Sequence, residues 1–144
     1  MKKSIYTFVL LLFFVSFNYA QNRKSYLYKG TVDGKMPVTM LIISEDNDCT
    51  ADLRYTAMYK YDKLSNWLQL DITENSNNHF AMVEYRFTGV LILKKEGKNF
   101  SGLWVSPDGK RQLKTVFKEV SMTKIEKENY ENKMEQLNYE NYDC

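Results

Sequence analysis

The segment from Cys49 to Tyr59 alternates apolar and polar residues more regularly than any other part of this chain. One face carries Cys49, Ala51, Leu53, Tyr55, Ala57 and Tyr59, and the other carries Thr50, Asp52, Arg54 and Thr56. A period of two places successive side chains on opposite faces of a β-strand. We therefore predict a half-buried antiparallel strand over residues 49–59, with one face on a core and the other in water.

Other segments have the composition and the bounding turns of β-strands, so we predict an all-β domain. Asp33-Gly34 is typical of a tight hairpin, and Pro107-Asp108-Gly109 reverses the chain because proline fixes φ and glycine allows a positive φ. Closing the sheet would remove its exposed edges, which favours a seven- to eight-stranded antiparallel up-and-down β-barrel. The expected strands are residues 26–32, 37–44, 49–59, 67–73, 79–86, 90–95, 99–105 and 111–118.

The last hairpin of the predicted sheet places Phe100, Gly102 and Trp104 on one face of a strand. A glycine beside a tryptophan in a strand indicates that the large ring packs where no side chain stands. We expect the sheet to curl around its core at this hairpin. The side chains that we expect to be largely buried are Trp104, Leu53, Leu113 and Phe117.

The two ends of the chain differ from the barrel region, residues 21–120. Residues 1–20 hold two lysines, an apolar run and a final alanine, which is the pattern of a secretory signal peptide. Over residues 121–144, Thr123 and Glu126 form a capping box, which predicts a C-terminal helix or tail. We therefore expect a periplasmic or extracellular protein that does not span a membrane once the signal is removed.

Charge argues against nucleic acid as the main partner. The chain has 20 basic and 18 acidic residues, and two of the basic residues belong to the predicted signal peptide. The exported part is then formally neutral and has no basic cluster of the kind that binds a phosphate backbone.

Glu84 is the charged residue with the most functional interest, and the sequence leaves its facing open. If Phe80 and Met82 point inward, Glu84 does too, and a carboxylate stands inside a small barrel. Burying it alone would cost several kcal/mol, so it would need Arg54, Arg86 or a tyrosine hydroxyl as a partner. The alternative is that Glu84 faces water beside Arg86.

Aromatic residues supply the other candidate site. Tyrosine combines apolar area with a polar tip and suits half-wet binding surfaces. The alternative is that these rings form ordinary barrel core and rim. The candidate ligand-binding residues are Tyr28, Tyr55, Tyr59, Glu84 and Trp104.

No motif for catalysis, a cofactor or a metal is predicted. The single histidine, His79, lies beside an asparagine-rich turn, and a zinc site needs three or four convergent ligands. We expect no cofactor and no metal, and we name no catalytic residue.

Cys49 and Cys144 are the only cysteines. In an oxidising compartment a lone pair tends to form a disulfide. This bond would close a loop of about a hundred residues, for which the chain-entropy model gives roughly 4 to 5 kcal/mol. The alternative is that Cys49 is a small buried hydrophobe and Cys144 a free terminal thiol.

Several short motifs resemble a group of small exported bacterial proteins of unassigned function. They are Tyr28-Lys29-Gly30-Thr31-Val32, Pro37-Val38-Thr39-Met40, Ser101-Gly102-Leu103-Trp104 and Asp108-Gly109-Lys110. The resemblance implies an avidin- or lipocalin-like meander barrel and carries no ligand with it.

These features favour an exported, non-catalytic binding barrel for a small amphipathic ligand or a partner protein in the cell envelope. Two alternatives stay open: a periplasmic inhibitor of a lysozyme-like enzyme, and an enzyme that uses Glu84 as acid or base. A structure helps to separate them, because an open lumen favours a small ligand and a packed interior favours a protein-binding surface.

Overall fold

The computed structural model describes residues 22–47, 49–50 and 52–142. Its strands form one closed antiparallel barrel in chain order, with β8 paired back to β1, and a helix follows. The predicted fold class is therefore confirmed, whereas the predicted signal peptide and Cys144 lie outside the described residues. The elements are β1 (Lys24–Val32), β2 (Met36–Asp46), β3 (Leu53–Tyr61), β4 (Leu68–Glu74), β5 (His79–Glu84), β6 (Val90–Glu96), β7 (Asn99–Val105), β8 (Gln112–Val120) and α1 (Lys124–Tyr142).

The interior of the barrel is filled by large side chains. Phe100 stands near the centre, with its ring centroid 5.1 Å from those of both Tyr28 and Phe80 in edge-to-face geometry. Each fully buried large apolar side chain contributes about 1.5–3 kcal/mol to folding. The buried cluster consists of Tyr28, Val32, Val38, Met40, Ile42, Ala57, Tyr59, Leu70, Phe80, Met82, Leu91, Leu93, Phe100 and Phe117.

A second, smaller core lies between α1 and the outer face of the barrel. The outward side chains of β1, β2 and β3 pack here against Met134 and Leu137 of the helix. This contact explains why β2 is apolar on both faces. The helix begins as predicted, since the Thr123 amide donates to Glu126 Oε2 and the Glu126 amide to Thr123 Oγ1. The barrel residues of this core are Leu27, Leu41, Ile43 and Met58.

The start of β3 differs from the prediction. The strand begins at Leu53, because Asn47 forms a turn in which its side chain accepts the Cys49 amide and its carbonyl accepts the Thr50 amide. Cys49 is therefore exposed in the turn and does not lie on the inner face of the strand.

Three of the four burial predictions are corrected, and one is confirmed. Phe117 is buried, but Leu53 is 49 % exposed because it lies at the end of β3 where β4 is not paired to it. Trp104 and Leu113 are only half-buried, since they lie at the ends of β7 and β8 next to the turn that joins these strands.

The glycine under Trp104 is not the one that the sequence suggested. A Cβ on Gly102 would lie 2.0 Å from the carbonyl oxygen of Ile92, so Gly102 allows β6 and β7 to approach closely. A Cβ on Gly89 would lie 2.4 Å from Trp104 Nε1, so the indole packs directly on Gly89.

In the part of the chain that is described, no helix is long and apolar enough to cross a membrane.

Candidate functional site

Glu84 is the last residue of β5, points into the barrel and is 3 % exposed. Its Oε1 accepts hydrogen bonds from the Tyr59 hydroxyl and, at 2.6 Å, from Trp104 Nε1. Its Oε2 accepts one from Thr88 Oγ1, also at 2.6 Å. We call these four residues the Glu84 cluster. Of the two facings left open by the sequence, the inward one is found.

The partner of Glu84 is a tyrosine hydroxyl rather than an arginine. Arg54 pairs with Glu45, and the Arg86 guanidinium lies over the Tyr85 ring, 5.4 Å from its centroid. No ion pair between described residues includes Glu84. The carboxylate is therefore held by neutral donors alone.

Three neutral donors suit a carboxylate that has only acceptor sites. Hydrogen bonds to a charged group are shorter and stronger than neutral ones, and they offset the cost of burying it. Burial, followed by the neighbouring Glu84 carboxylate, raises the pKa of Tyr59 well above its ordinary value. Tyr59 thus keeps its proton and remains a donor.

The Glu84 cluster fixes the turn between β5 and β6. The Glu84 amide donates to the Gly89 carbonyl at 3.0 Å, and Thr88 within the turn bonds to the carboxylate. Between these anchors, Arg86 and Phe87 have left-handed backbone conformations with φ of 62° and 55°. Side chains other than asparagine and aspartate rarely adopt this region, because Cβ then approaches the carbonyl oxygen.

This fixed turn places the Phe87 side chain in solvent, where it is 54 % exposed. In an antiparallel meander, the loops β1–β2, β3–β4, β5–β6 and β7–β8 lie at the same end of the barrel, which we call the Phe87 end. Leu64 of the β3–β4 loop is 57 % exposed at this end. A mostly apolar groove of about 330 Å³ lies beside it, lined by Lys35, Met36, Pro37, Tyr61, Lys63 and Leu64.

The predicted ligand-binding residues do not form one site. Tyr59, Glu84 and Trp104 meet in the Glu84 cluster. Tyr28 is buried against Phe100 in the middle of the barrel. Tyr55 lies towards the opposite end, where its hydroxyl donates to Glu74 Oε2 at 2.8 Å.

Sequence reasoning missed Thr88 and Phe87. The segment from Tyr85 to Thr88 has none of the residues that mark a tight turn, and the first such residue is Gly89, which follows it. The left-handed backbone of Phe87 depends on hydrogen bonds to a carboxylate that also binds residues of β3 and β7. No local pattern could have identified it.

Cys49 and His79 do not belong to the Glu84 cluster. Cys49 is exposed, and because Cys144 lies outside the described residues, the disulfide stays a prediction. His79 is exposed at the start of β5. Among the described residues, no group of three or more histidine, cysteine, aspartate or glutamate side chains could hold a metal ion.

The comparisons with known proteins suggest no function for this chain, so the functional proposal rests on the geometry of the site. The group of exported proteins proposed from the short motifs stays a resemblance. No family model matches the chain, and neither a curated protein nor a solved structure matches it with significance.

Proposed function

We propose that this chain is an exported, non-catalytic barrel that binds a partner protein through the Phe87 end. The observation that carries the proposal is the exposed Phe87 ring on a left-handed backbone. Such a conformation costs about 1–3 kcal/mol and is found where a surrounding structure enforces it, often at binding sites. Here the Glu84 cluster enforces it.

The surface around Phe87 has the composition of a protein-binding site. Aromatic and arginine side chains are enriched at the core of interfaces, where they act as anchors. Arg86 lies next to Phe87 in the chain, and Leu64 with its apolar groove lies at the same end. The partner surface that fits is an apolar pocket with an acidic border.

Two features favour a protein partner over the other hypotheses. A cluster of large buried side chains fills the barrel interior, and this supports a partner that binds at the surface over a small amphipathic ligand inside the barrel. Both carboxylate oxygens of Glu84 accept hydrogen bonds from the protein itself, which supports a structural role for this side chain over acid–base work on a substrate. A lysozyme-like enzyme of the envelope is one partner class that the proposal includes.

The test uses the mature chain, residues 21–144, to capture partners from an extract of its own envelope. The decisive variant is Phe87→Gly, because glycine adopts a positive φ without strain and removes the ring. We expect Phe87→Gly to abolish capture while raising the free energy of unfolding by up to about 1 kcal/mol. Ile125→Ser, which removes an exposed apolar side chain on α1, is the matched control and should leave capture intact.

The captured protein is then purified and titrated against both variants by calorimetry. Equal affinity of wild type and Phe87→Gly would contradict the proposal, and so would the absence of any captured protein. If a purified lysozyme is the partner, its inhibition should be lost in Phe87→Gly and kept in Ile125→Ser.

A further inference from the structure

The barrel wall is weakly closed between β3 and β4. Their ladder has three residue pairs, from Ala57 with Leu70 to Tyr59 with Leu68, and it is the shortest ladder of the barrel. Both strands continue beyond it: β3 stays paired with β2 as far as Leu53, and β4 with β5 as far as Glu74. Within the described residues, 53–56 and 71–74 therefore have no ladder partner across this boundary, and we call them the open seam.

A groove of about 750 Å³ lies along the open seam. Tyr55 and Ile72, which point to the barrel interior, are only half-buried here and pack against the core. A side-chain bond from Tyr55 to Glu74 joins the two strands in place of backbone bonds. The groove is lined by Asn47, Asp52, Leu53, Arg54, Tyr55, Ile72, Thr73, Glu74, Asn75, Ser76 and Asn78.

We propose that the open seam binds an extended peptide segment of a second partner protein by strand addition. An unpaired strand edge presents a row of amide and carbonyl groups that pair readily with another extended chain. Four residues on each side span about 13 Å, which matches a peptide of four to five residues. This site lies at the opposite end of the barrel from Phe87 and does not depend on the function proposed above.

The side chains of the seam define the chemistry of the peptide. An added strand alternates its side chains between the barrel interior and the outside. Its inward residues would contact Tyr55 and Ile72, which requires apolar side chains. The groove holds the carboxylates of Asp52 and Glu74, whereas its one arginine, Arg54, is already paired with Glu45. The bound segment is therefore alternately apolar and polar, and it carries at least one basic residue near the rim.

The test selects linear twelve-residue peptides from a displayed random library against the mature chain. We expect the selected peptides to share this alternating basic pattern. A matched peptide with alternate backbone amides N-methylated should bind about tenfold more weakly or not at all, because methylation removes the edge donors. Tyr55→Ala should weaken binding about tenfold, whereas Tyr139→Ala, which removes an exposed tyrosine of α1, should not.

Amide hydrogen exchange locates the site without any variant. In the free protein the amides of residues 53–56 and 71–74 that point across the seam, and so do not bond to β2 or β5, should exchange faster than the ladder-bonded amides of residues 57–59 and 68–70, and bound peptide should slow them. The proposal fails if the library yields no binder, if N-methylation has no effect, or if protection appears elsewhere. Because exchange uses the wild-type protein, the result stands even if Tyr55→Ala does not fold.

Discussion

Strand β3 carries two tyrosines whose hydroxyls bond to carboxylates, and the two pairs lie in opposite environments. Tyr59 bonds to Glu84 in the buried cluster at the Phe87 end. Tyr55, on the same face of the strand, bonds to Glu74 in an exposed position at the open seam. Glu84 accepts hydrogen bonds from three side chains. Among the described residues, the side chain of Glu74 accepts one, from Tyr55.

The comparison shows that burial determines how much a tyrosine–carboxylate hydrogen bond contributes to stability. Water competes for the exposed pair, so its net contribution is small. In the buried cluster, removing one partner leaves polar groups without hydrogen bonds in a medium that cannot replace them. The same chemistry therefore fixes the barrel at one end and leaves it open at the other.

The largest expected effect comes from removing the buried carboxylate. Glu84→Ala leaves Tyr59, Thr88 and Trp104 without their acceptor, and because Tyr59 is fully buried we expect a loss of about 3 kcal/mol in the free energy of unfolding. Glu74→Ala, the matched change at the seam, should cost less than about 0.5 kcal/mol. Urea titration followed by tryptophan fluorescence measures both changes. Similar losses of stability would contradict the conclusion that the Glu84 cluster stabilises the barrel more than the Tyr55–Glu74 bond does.

Alkaline pH should also test the burial of the tyrosines in the barrel core. Burial, as the largest cause, raises the pKa of both Tyr28 and Tyr59. Their contribution to stability is complete below the unfolded pKa near 10 and is lost as the pH rises from there towards the raised folded values. Each buried tyrosine then removes about 1.4 kcal/mol per pH unit, so the two together remove about 3 kcal/mol by pH 11.

A spectrophotometric titration at alkaline pH, run beside circular dichroism, checks this expectation. The buried tyrosines should ionise only as the barrel unfolds. Tyr59→Phe should reduce the number of these tyrosines by one. Ionisation of every tyrosine in a barrel that remains folded would contradict the burial on which the cluster depends.

A smaller effect is expected where the indole packs on the turn. Gly89→Ala places a methyl group against Trp104 and Glu84 Oε1, and we expect it to cost about 1–3 kcal/mol. Trp104→Phe removes the indole Nε1, which is the nearest atom that the methyl group meets, and leaves Glu84 Oε1. In that background the same glycine change should cost markedly less, and a double-mutant cycle measures the difference. A coupling energy near zero would show that Gly89 does not support the cluster.

The barrel was predictable from the sequence because alternation and turn chemistry are local. The turn at Pro107-Asp108-Gly109 forms as expected, with Gly109 at φ 70° and its amide bonded to Ser106. The facing of Glu84 was not predictable, because β5 is apolar on both faces and only the strands around it decide which is inside.

The open seam and the exposed position of Phe87 could not be predicted from the sequence, and the reason is different. Alternation predicts that residues 49–59 and 67–73 form strands, but it does not say where their ladder ends. The conformation of Phe87 depends on Trp104 and Tyr59, which are distant along the chain and meet Glu84 only after the barrel closes. Both features come from long-range packing.

The most direct test compares Tyr59→Phe with Tyr55→Phe, because each removes one hydroxyl from the same face of the same strand. We expect Tyr59→Phe to lower the free energy of unfolding by about 1–3 kcal/mol, since it leaves Glu84 with one donor fewer in the core. Tyr55→Phe should change it by less than about 0.5 kcal/mol. Equal losses of unfolding free energy in urea, or a larger loss for Tyr55→Phe, would contradict the account, in which the Glu84 cluster stabilises the Phe87 end whereas the hydrogen bond at the open seam contributes little.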